Sequence, residues 1–181
     1  MDCSISSRLF LRGPFHGFTL IELIVSVAII SILVLVAVPS LSDYMAESQA
    51  DKAVSQLVGL LAKTRTEAIT RRRRIGACRK SDNTDVCAGY SRFGSTQWEV
   101  ALVFQDTNQN NRFDSSESII SLIDLSNPGI TTNWGRGDVL FYDGDGTARG
   151  MSNGTFQVIS AAGVVREVVI SLPGRYRIVR Y

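Results

Sequence analysis

The chain has 181 residues, of which 45% are hydrophobic, and 19 Lys and Arg residues against 17 Asp and Glu residues leave a formal net charge of +2. That length suits one compact domain with an additional segment. The near-neutral charge excludes a protein that is basic over its whole surface, as a general nucleic-acid binder would be, and it excludes an acidic disordered chain.

The apolar residues are concentrated near the N-terminus. Residues 23–42 carry no charge, and a helix of about 20 residues spans the core of a bilayer. Arg8 and Arg12 precede this segment, so we expect the N-terminus to stay in the cytoplasm and the rest to be exported. A secretory signal peptide, a buried core helix and a plain membrane anchor are alternatives. None of them explains Glu22, because a carboxylate inside a membrane costs about 3 kcal/mol and usually has a partner.

The residues around Glu22 form a recognisable motif. Residues 17–22 read Gly-Phe-Thr-Leu-Ile-Glu, which resembles the processing site of type IV pilins and pseudopilins. The resemblance implies that a prepilin peptidase cleaves between Gly17 and Phe18, that Phe18 is then N-methylated, and that Glu22 pairs with the terminal amine of a neighbouring subunit. Pro39 stands where pilins often have a helix-disturbing proline. Cleavage would remove the only histidine, which excludes histidine-based catalysis and histidine-ligated metal sites.

The segment after Pro39 is amphipathic. Its apolar residues recur at helical spacing on one stripe: Ala50, Ala53, Val54, Leu57, Val58, Leu61, Ala68 and Ile69. We therefore expect a helix that runs to about Arg72 and packs on a sheet. The arginines at 71–74 are either a solvated helix end, where cations favour the dipole, or an anion-binding patch that widens a phosphate track.

From residue 75 the pattern changes to short apolar runs separated by turn residues. The predicted strands are Trp98–Phe104, Ser118–Leu125, Val139–Tyr142, Thr155–Ser160, Val164–Ser171 and Arg175–Val179. The predicted fold is α+β and type IV pilin-like, with a long N-terminal helix packed on an antiparallel β-sheet head. Its parts are a cleaved leader at 1–17, a transmembrane and filament-core helix at 18–39, an amphipathic helix at 40–74 and a β-rich head at 75–181.

Cys78 and Cys87 would be the two cysteines that remain after the leader is removed. In an exported domain such a pair is most simply a disulfide that closes a short loop. The closure would stabilise the fold by about 2–3 kcal/mol. A zinc site is the alternative, but it would need two further ligands and no histidine would be left to supply one.

The segment 106–117 has oxygen-bearing side chains at the spacing of an EF-hand calcium loop. The candidate ligands are Asp106, Asn108, Asn110, Asp114 and Glu117. Asn111 stands where such loops have a glycine, and the flanking segments are predicted strands instead of helices. The alternative is a polar hairpin loop whose Asn and Asp side chains bind its own backbone.

Residues 174–177 read Gly-Arg-Tyr-Arg. On a strand, Arg175 and Arg177 would lie on one face about 6.6 Å apart, and each guanidinium suits a phosphate oxygen. The alternative is an edge strand whose charges discourage aggregation. With the prepilin motif, the long helix, the loop that ends at Glu117 and the turn at 143–146, this ending resembles the GspH/FimT family of minor pilins and pseudopilins. Some FimT-type members bind DNA through a GRxR motif during natural transformation, which implies that role for Arg175 and Arg177.

The sequence thus predicts a minor pilin at or near the tip of a type IV pilus, which primes assembly and binds DNA. The alternative is a minor pseudopilin of the type II secretion system that contacts secreted cargo. Either protein would sit in the bacterial inner membrane with a periplasmic head before it joins other pilin subunits in a filament. No cofactor other than calcium is expected, and no enzyme motif is recognisable.

Overall fold

The computed structural model describes residues 17–82, 84–150 and 152–181, without the side chains of residues 35–40. Most of the expected leader, with Cys3, Arg8, Arg12 and His16, therefore lies outside the described residues. The chain divides into two compact units, Met1–Leu41 and Ser42–Tyr181.

Helix α1 spans Leu20–Arg71 and belongs to both units. Thr19 caps its start, because the Thr19 Oγ1 atom accepts a hydrogen bond of 3.3 Å from the backbone N–H of Glu22. The acidic Glu22 in the first turn and the basic Arg71 in the last turn both complement the helix dipole. The predicted helix is confirmed, and it ends one residue before the predicted end. Within the described part of the chain, no helix is long and apolar enough to cross a membrane.

The second unit contains two antiparallel sheets of five strands each. The strands are β1 (Ile75–Arg79), β2 (Thr96–Gln97), β3 (Val100–Gln105), β4 (Ile119–Asp124), β5 (Ile130–Trp134), β6 (Val139–Tyr142), β7 (Ala148–Arg149), β8 (Gly154–Ser160), β9 (Val165–Ile170) and β10 (Tyr176–Arg180). The first sheet has the order β4-β3-β1-β6-β7, and the second has the order β10-β9-β8-β5-β2. The predicted antiparallel head is confirmed, and it is divided into two sheets.

Four strands were not predicted from the sequence: β1, β2, β5 and β7. Strand β1 lies in the centre of the first sheet, where four of its five residues are buried, so it shows no alternation of apolar and polar residues. Strand β5, which pairs with β8, reads Ile-Thr-Thr-Asn-Trp, and its three central polar residues do not form an apolar run that would predict a strand. Strands β2 and β7 have only two residues each.

The core has two parts, which lie on opposite faces of the first sheet. The main cluster joins the second half of α1 to both sheets and includes Leu57, Leu61, Trp98, Trp134 and Phe156. The second cluster fills the other face of the first sheet and consists of Cys78, Cys87, Leu102, Phe104, Phe113, Val139 and Phe141. The stripe predicted for α1 is largely buried, except that Ile69 is 46% exposed.

The second sheet is buried on one face only. Its inner face supplies Phe156, Val158, Val168 and Ile170 to the main cluster. We call the opposite face the outer face of the second sheet; it bears Thr155, Gln157, Glu167, Val169 and Arg177, all of which are exposed or half-buried. This face and the strand β10 at its edge are where the C-terminal motif lies.

Candidate functional site

The expected processing site lies directly before α1. Phe18 is 75% exposed, and no heavy atom of the described residues lies within 4 Å of the position that a Cβ would take at Gly17. The exposed Glu22 forms no ion pair with another described residue. The exposed peptide bond between Gly17 and Phe18 and the carboxylate of Glu22, which is unpaired among the described residues, therefore lie within six residues of each other.

The apolar side chains of the first half of α1 are exposed. Of the described side chains, those at more than half exposure include Leu20, Ile21, Leu23, Ile24, Val27, Ile29, Ile30, Ile32, Leu33 and Val34. A surface of this kind on a single subunit is typical of a segment that is covered by lipid or by other subunits.

The predicted disulfide is present. Cys78 and Cys87 are bonded, with their Cα atoms 5.6 Å apart. Cys78 belongs to β1, and Cys87 pairs with Lys80 in an isolated bridge, so the disulfide closes the loop that follows β1. Both residues belong to the second core cluster. The cross-link therefore fixes this loop against the buried first sheet.

The loop at 106–117 uses its oxygen atoms on its own chain. Glu117 accepts hydrogen bonds from the backbone N–H groups of Thr107 and Asp114, at 2.7 and 3.2 Å. Asp114 accepts from the side-chain amides of Asn108 and Asn110, at 2.7 and 2.8 Å. This is the arrangement of the hairpin-loop alternative, and within the described residues no group of three or more His, Cys, Asp or Glu side chains is placed to hold a metal ion. Calcium binding by this loop stays a prediction.

Asp106, the first predicted ligand, is buried beneath the loop. It is 1% exposed, and its Oδ2 atom accepts a hydrogen bond of 3.1 Å from the backbone N–H of Asn111. Its Oδ1 atom is buried and has no hydrogen-bond partner among the residues that the structure describes. Burial raises the pKa of Asp106 above its usual value, although the Asn111 N–H and the nearby Arg74 oppose the shift. Asn111, which stands where an EF-hand loop has its glycine, has a φ of 61° and is therefore left-handed.

The arginines at 71–74 have different surroundings. Arg74 is 10% exposed and lies 2.9 Å from Asp143 and 3.8 Å from Asp106. It also donates to the Gln109 carbonyl and the Asn111 side chain, both at 3.2 Å. Arg71 pairs with Glu67 at 2.7 Å on the surface of α1. Arg74 thus ties the end of the helix to the 106–117 loop and the 143–146 turn, which is a structural role.

The two arginines of the C-terminal motif are exposed. They line a pocket of about 190 Å³ together with Val169, Ser171 and Tyr176. Neither Arg175 nor Arg177 forms an ion pair with another described residue. Two exposed arginines therefore line one pocket at the edge of the second sheet, although Arg175 lies just before β10 and not within it as the sequence predicted.

The other two arginines of the C-terminal segment share one acid of α1. Arg166 is 6% exposed, and its guanidinium lies 3.0 Å from the Asp51 carboxylate of α1. Arg180 lies 3.6 Å from the second oxygen of the same carboxylate. The Asp51 carboxylate therefore offsets part of the formal charge of +3 of residues 164–181. Arg175 and Arg177 are the arginines of this segment that no described carboxylate contacts.

A glycine contact holds the motif in place. Gly174 has a φ of 77°, and a Cβ on this residue would overlap the carbonyl oxygen of Gly146. Arg65 of α1 donates to that same carbonyl at 3.0 Å and to the Pro173 carbonyl at 3.3 Å. The two turns that the sequence showed as separate signals are thus joined, and Arg65, which sequence reasoning missed, joins them.

A second pocket lies on the outer face of the second sheet. Its volume is about 410 Å³, and it is lined by polar residues and glycines together with one acid: Ser95, Asn133, Gly135, Arg136, Gly154, Thr155, Gln157 and Glu167. Arg136 forms no ion pair with another described residue. Sequence reasoning missed Arg136, because only the pairing of β5 with β8 brings it to this face.

Two family models match the chain and define its class of protein. Residues 13–38 match the family model of the prokaryotic N-terminal methylation motif. A long N-terminal helix that begins with this motif and continues into a β-rich head defines the chain as a pilin-like protein of the kind that is anchored in a membrane. Residues 53–174 match the family model described as type II transport protein GspH, and the chain belongs to that family. The resemblance predicted from the sequence is confirmed, and the family is one of structural subunits.

Similar curated proteins match a minor part of the chain. The chain is 46% identical to the type IV major fimbrial protein FimA of Dichelobacter nodosus over 66 residues, which are 36% of this chain and 38% of FimA. It is 52% identical to a fimbrial protein of Pseudomonas aeruginosa over 44 residues, 24% of this chain and 29% of that protein. The chain thus spans well under two thirds of these relatives. A crystal structure of the type IV minor pilin FimU of Pseudomonas aeruginosa aligns with a TM-score of 0.49 and 18% identity, over 74% of this chain and 91% of that one.

Proposed function

We propose that the protein is a minor pilin, positioned at or near the tip of a type IV pilus, which primes assembly and binds DNA through Arg175 and Arg177. In this proposal a prepilin peptidase removes residues 1–17, and residues 18–39 sit in the inner membrane before they enter the filament core. The amphipathic helix at 40–74 and the head at 75–181 lie in the periplasm.

The assembly role is supported by the start of α1. Glu22 presents a carboxylate for which the described residues supply no cation, and the methylated amine of Phe18 in a neighbouring subunit would provide one. A pair of opposite charges in an apolar surrounding is strongly favoured over a lone carboxylate. Glu22 is therefore the residue we expect to select correctly placed partner subunits.

Processing and assembly are tested in cells that carry a prepilin peptidase. Mass spectrometry of the full-length protein is expected to give an N-methylated N-terminus at Phe18. Glu22→Ala is expected to be processed but to lose most of its recovery in sheared filaments, while Glu47→Ala, which removes an exposed acid further along the same helix, keeps it. An unprocessed N-terminus, or normal incorporation of Glu22→Ala, would contradict the assembly role.

The DNA-binding role rests on one observation, which is that Arg175 and Arg177 are adjacent, exposed and without acidic partners among the described residues. Because so few phosphates are contacted, we expect sequence-independent binding that weakens steeply with salt and has a Kd in the micromolar range or above. The near-neutral chain gives no broad basic surface to strengthen it.

Fluorescence anisotropy of a labelled 20-base-pair duplex with the full-length protein in detergent tests this role. Arg175→Ala with Arg177→Ala is expected to weaken binding by tenfold or more. The matched control is Arg72→Ala with Arg73→Ala, which removes the same charge from another exposed site and is expected to change the Kd less than threefold. Equal losses in the two double variants, or no loss in the first, would overturn the assignment.

A pseudopilin of the type II secretion system is the second candidate, because the matching family model is described as type II transport protein GspH. In that role the head would contact other minor pseudopilins and secreted cargo. Deletion of the gene separates the two: loss of pilus-dependent DNA uptake with normal secretion supports the pilus, and the reverse supports the secretion system. Calcium binding at the 106–117 loop is left to a calorimetric titration at millimolar calcium, since the loop oxygens already bind its own N–H groups.

A further inference from the structure

The register of the second sheet places Arg177 in one row with residues of three other strands. Arg177 of β10 pairs with Val169 of β9, and Val169 pairs with Thr155 of β8. The backbone of Thr155 in turn accepts a hydrogen bond of 3.1 Å from Gly135, at the end of β5. Residues paired in this way share a face, so the row runs straight across the outer face of the second sheet.

Arg136 lies at the far end of this row. It lines the pocket of about 410 Å³ with Gly135, Gly154 and Thr155. A Cβ at Gly154 would come within 2.8 Å of the Arg136 Cγ atom. The glycine therefore lets the arginine stem lie directly on the sheet. Arg136 is half-buried, and the described residues offer it no ion pair, so its charge is available to a ligand.

The side chains between the two ends of the row are short. Val169, Thr155 and Gly135 separate Arg177 from Arg136, and none of them carries a charge. With strands about 4.8 Å apart, three steps give a distance of about 14 Å. One strand of duplex DNA advances about 3.4 Å per nucleotide along its axis, so this distance spans about four base-pair steps and places the two ends of the row at separate phosphates.

Glu167 limits the path on one side. It lies in the next row, where it pairs with Val179 and Gln157. Its two oxygens accept hydrogen bonds from the Gln157 amide at 3.0 Å and from the Tyr181 hydroxyl at 3.3 Å. A negative charge at this place repels a phosphate that strays from the row of Val169 and Thr155, and it lowers the affinity of the whole face.

We propose that Arg136 is a second phosphate contact, and that one strand of DNA crosses the outer face of the second sheet from Arg175 and Arg177 to Arg136. This inference rests on the proposed DNA-binding function and extends it from the edge of the sheet to a track across four strands. The chemistry recognised is the phosphodiester backbone, with no reading of base sequence.

The experiment uses the full-length protein in detergent and the same 20-base-pair duplex, titrated at several salt concentrations. Arg136→Ala is expected to weaken binding three- to tenfold and to reduce the slope of log K against log salt by about 1. Arg136→Lys, which keeps the charge, is expected to stay within about twofold of the parent. Glu167→Gln is expected to bind two- to threefold more tightly, because it removes the opposing charge.

Arg72→Ala is the matched control, because it removes one exposed charge away from the track and is expected to change neither affinity nor slope. If Arg136→Ala matches Arg72→Ala while the Arg175 and Arg177 double variant loses binding, the track is wrong and the DNA-binding function stands. If the parent does not bind duplex DNA, or the double variant binds as the parent does, the proposed function itself fails. Equal unfolding temperatures of parent and Arg136→Ala show that a loss is not due to unfolding.

Discussion

The arginines at 71–74 and those at 175 and 177 look equally basic in the sequence, but they differ in what surrounds them. Arg74 is nearly buried and contacts two carboxylates, a carbonyl and an amide oxygen. Arg175 and Arg177 are exposed and contact no acid among the described residues. Within the longer run Arg74 therefore makes a structural contact and Arg71 pairs with Glu67, whereas Arg72 and Arg73 are exposed and, like Arg175 and Arg177, form no ion pair with another described residue.

Whether an arginine is available to bind a ligand therefore depends on residues that are far away in the sequence. Asp143, which binds Arg74, is 69 residues away, and Asp51, which neutralises Arg166, is 115 residues away. A count of local charge includes Arg166 and Arg180 as binding residues, yet the Asp51 carboxylate holds both. Substitutions at the two regions should therefore affect stability in one case and binding in the other.

The largest effect on stability is expected from Arg74→Ala. The substitution leaves the buried Asp106 without its cation and leaves Asp143 with only the exposed Arg149, at 3.3 Å, and breaking a buried pair in this way costs about 3–4 kcal/mol. Urea unfolding of the full-length protein, with the detergent held constant, measures the loss. Arg73→Ala, an exposed neighbour, is the control and should change the free energy of unfolding by less than about 0.5 kcal/mol. Similar losses of unfolding free energy in both variants would contradict the assignment of a structural role to Arg74.

The second effect concerns the turn that presents the C-terminal pair. Gly174→Ala puts a Cβ into a left-handed residue and against the Gly146 carbonyl, and we expect a loss of about 2–3 kcal/mol with weaker DNA binding. Gly163→Ala is the control: its φ of 84° is also left-handed, but no atom of the described part of the chain lies within 4 Å of the added Cβ. That variant should lose about 1 kcal/mol and bind normally. The same result for both glycines would show that the contact with Gly146 does not position Arg175.

Much of the fold could be predicted from local patterns. The helix α1 and the strands β3, β4, β6, β8, β9 and β10 were found because apolar spacing or short apolar runs between turns mark them directly. The central strand β1 escaped because a strand buried on both faces does not alternate. The division of the head into two sheets was also not predicted, since it depends on which strands pair and not on where the strands lie in the sequence.

The candidate site shows the same limit. Arg175, Arg177 and the disulfide were predicted because each is marked by a short local pattern. Arg65 and Arg136 were missed, because their importance comes from contacts with turns and strands that are distant in sequence. The spacing of the 106–117 loop left both a calcium site and a polar hairpin loop open. The structure adds which atoms face each other, and there the Asn108 and Asn110 amide groups donate to Asp114.

The smallest effect on stability is expected from Glu67→Gln, which tests whether Arg71 contributes less to stability than Arg74. Hydrogen bonds from Arg71 and Lys63, at 2.7 and 3.0 Å, hold the pKa of the Glu67 carboxyl below its usual value of 4.5. Because the folded pKa is the lower one, this stabilisation is complete above pH 4.5 and is lost as the pH falls through the lowered pKa. For pairs at the surface of a helix we expect a loss of only about 0.5 kcal/mol at pH 7, which shrinks in 1 M salt. Urea unfolding at pH 7 and pH 3 should show the parent and the variant differing at the first and converging at the second. A loss as large as that of Arg74→Ala would mean that Arg71 is as structural as Arg74, and the arginines at 71–74 would then act as one unit.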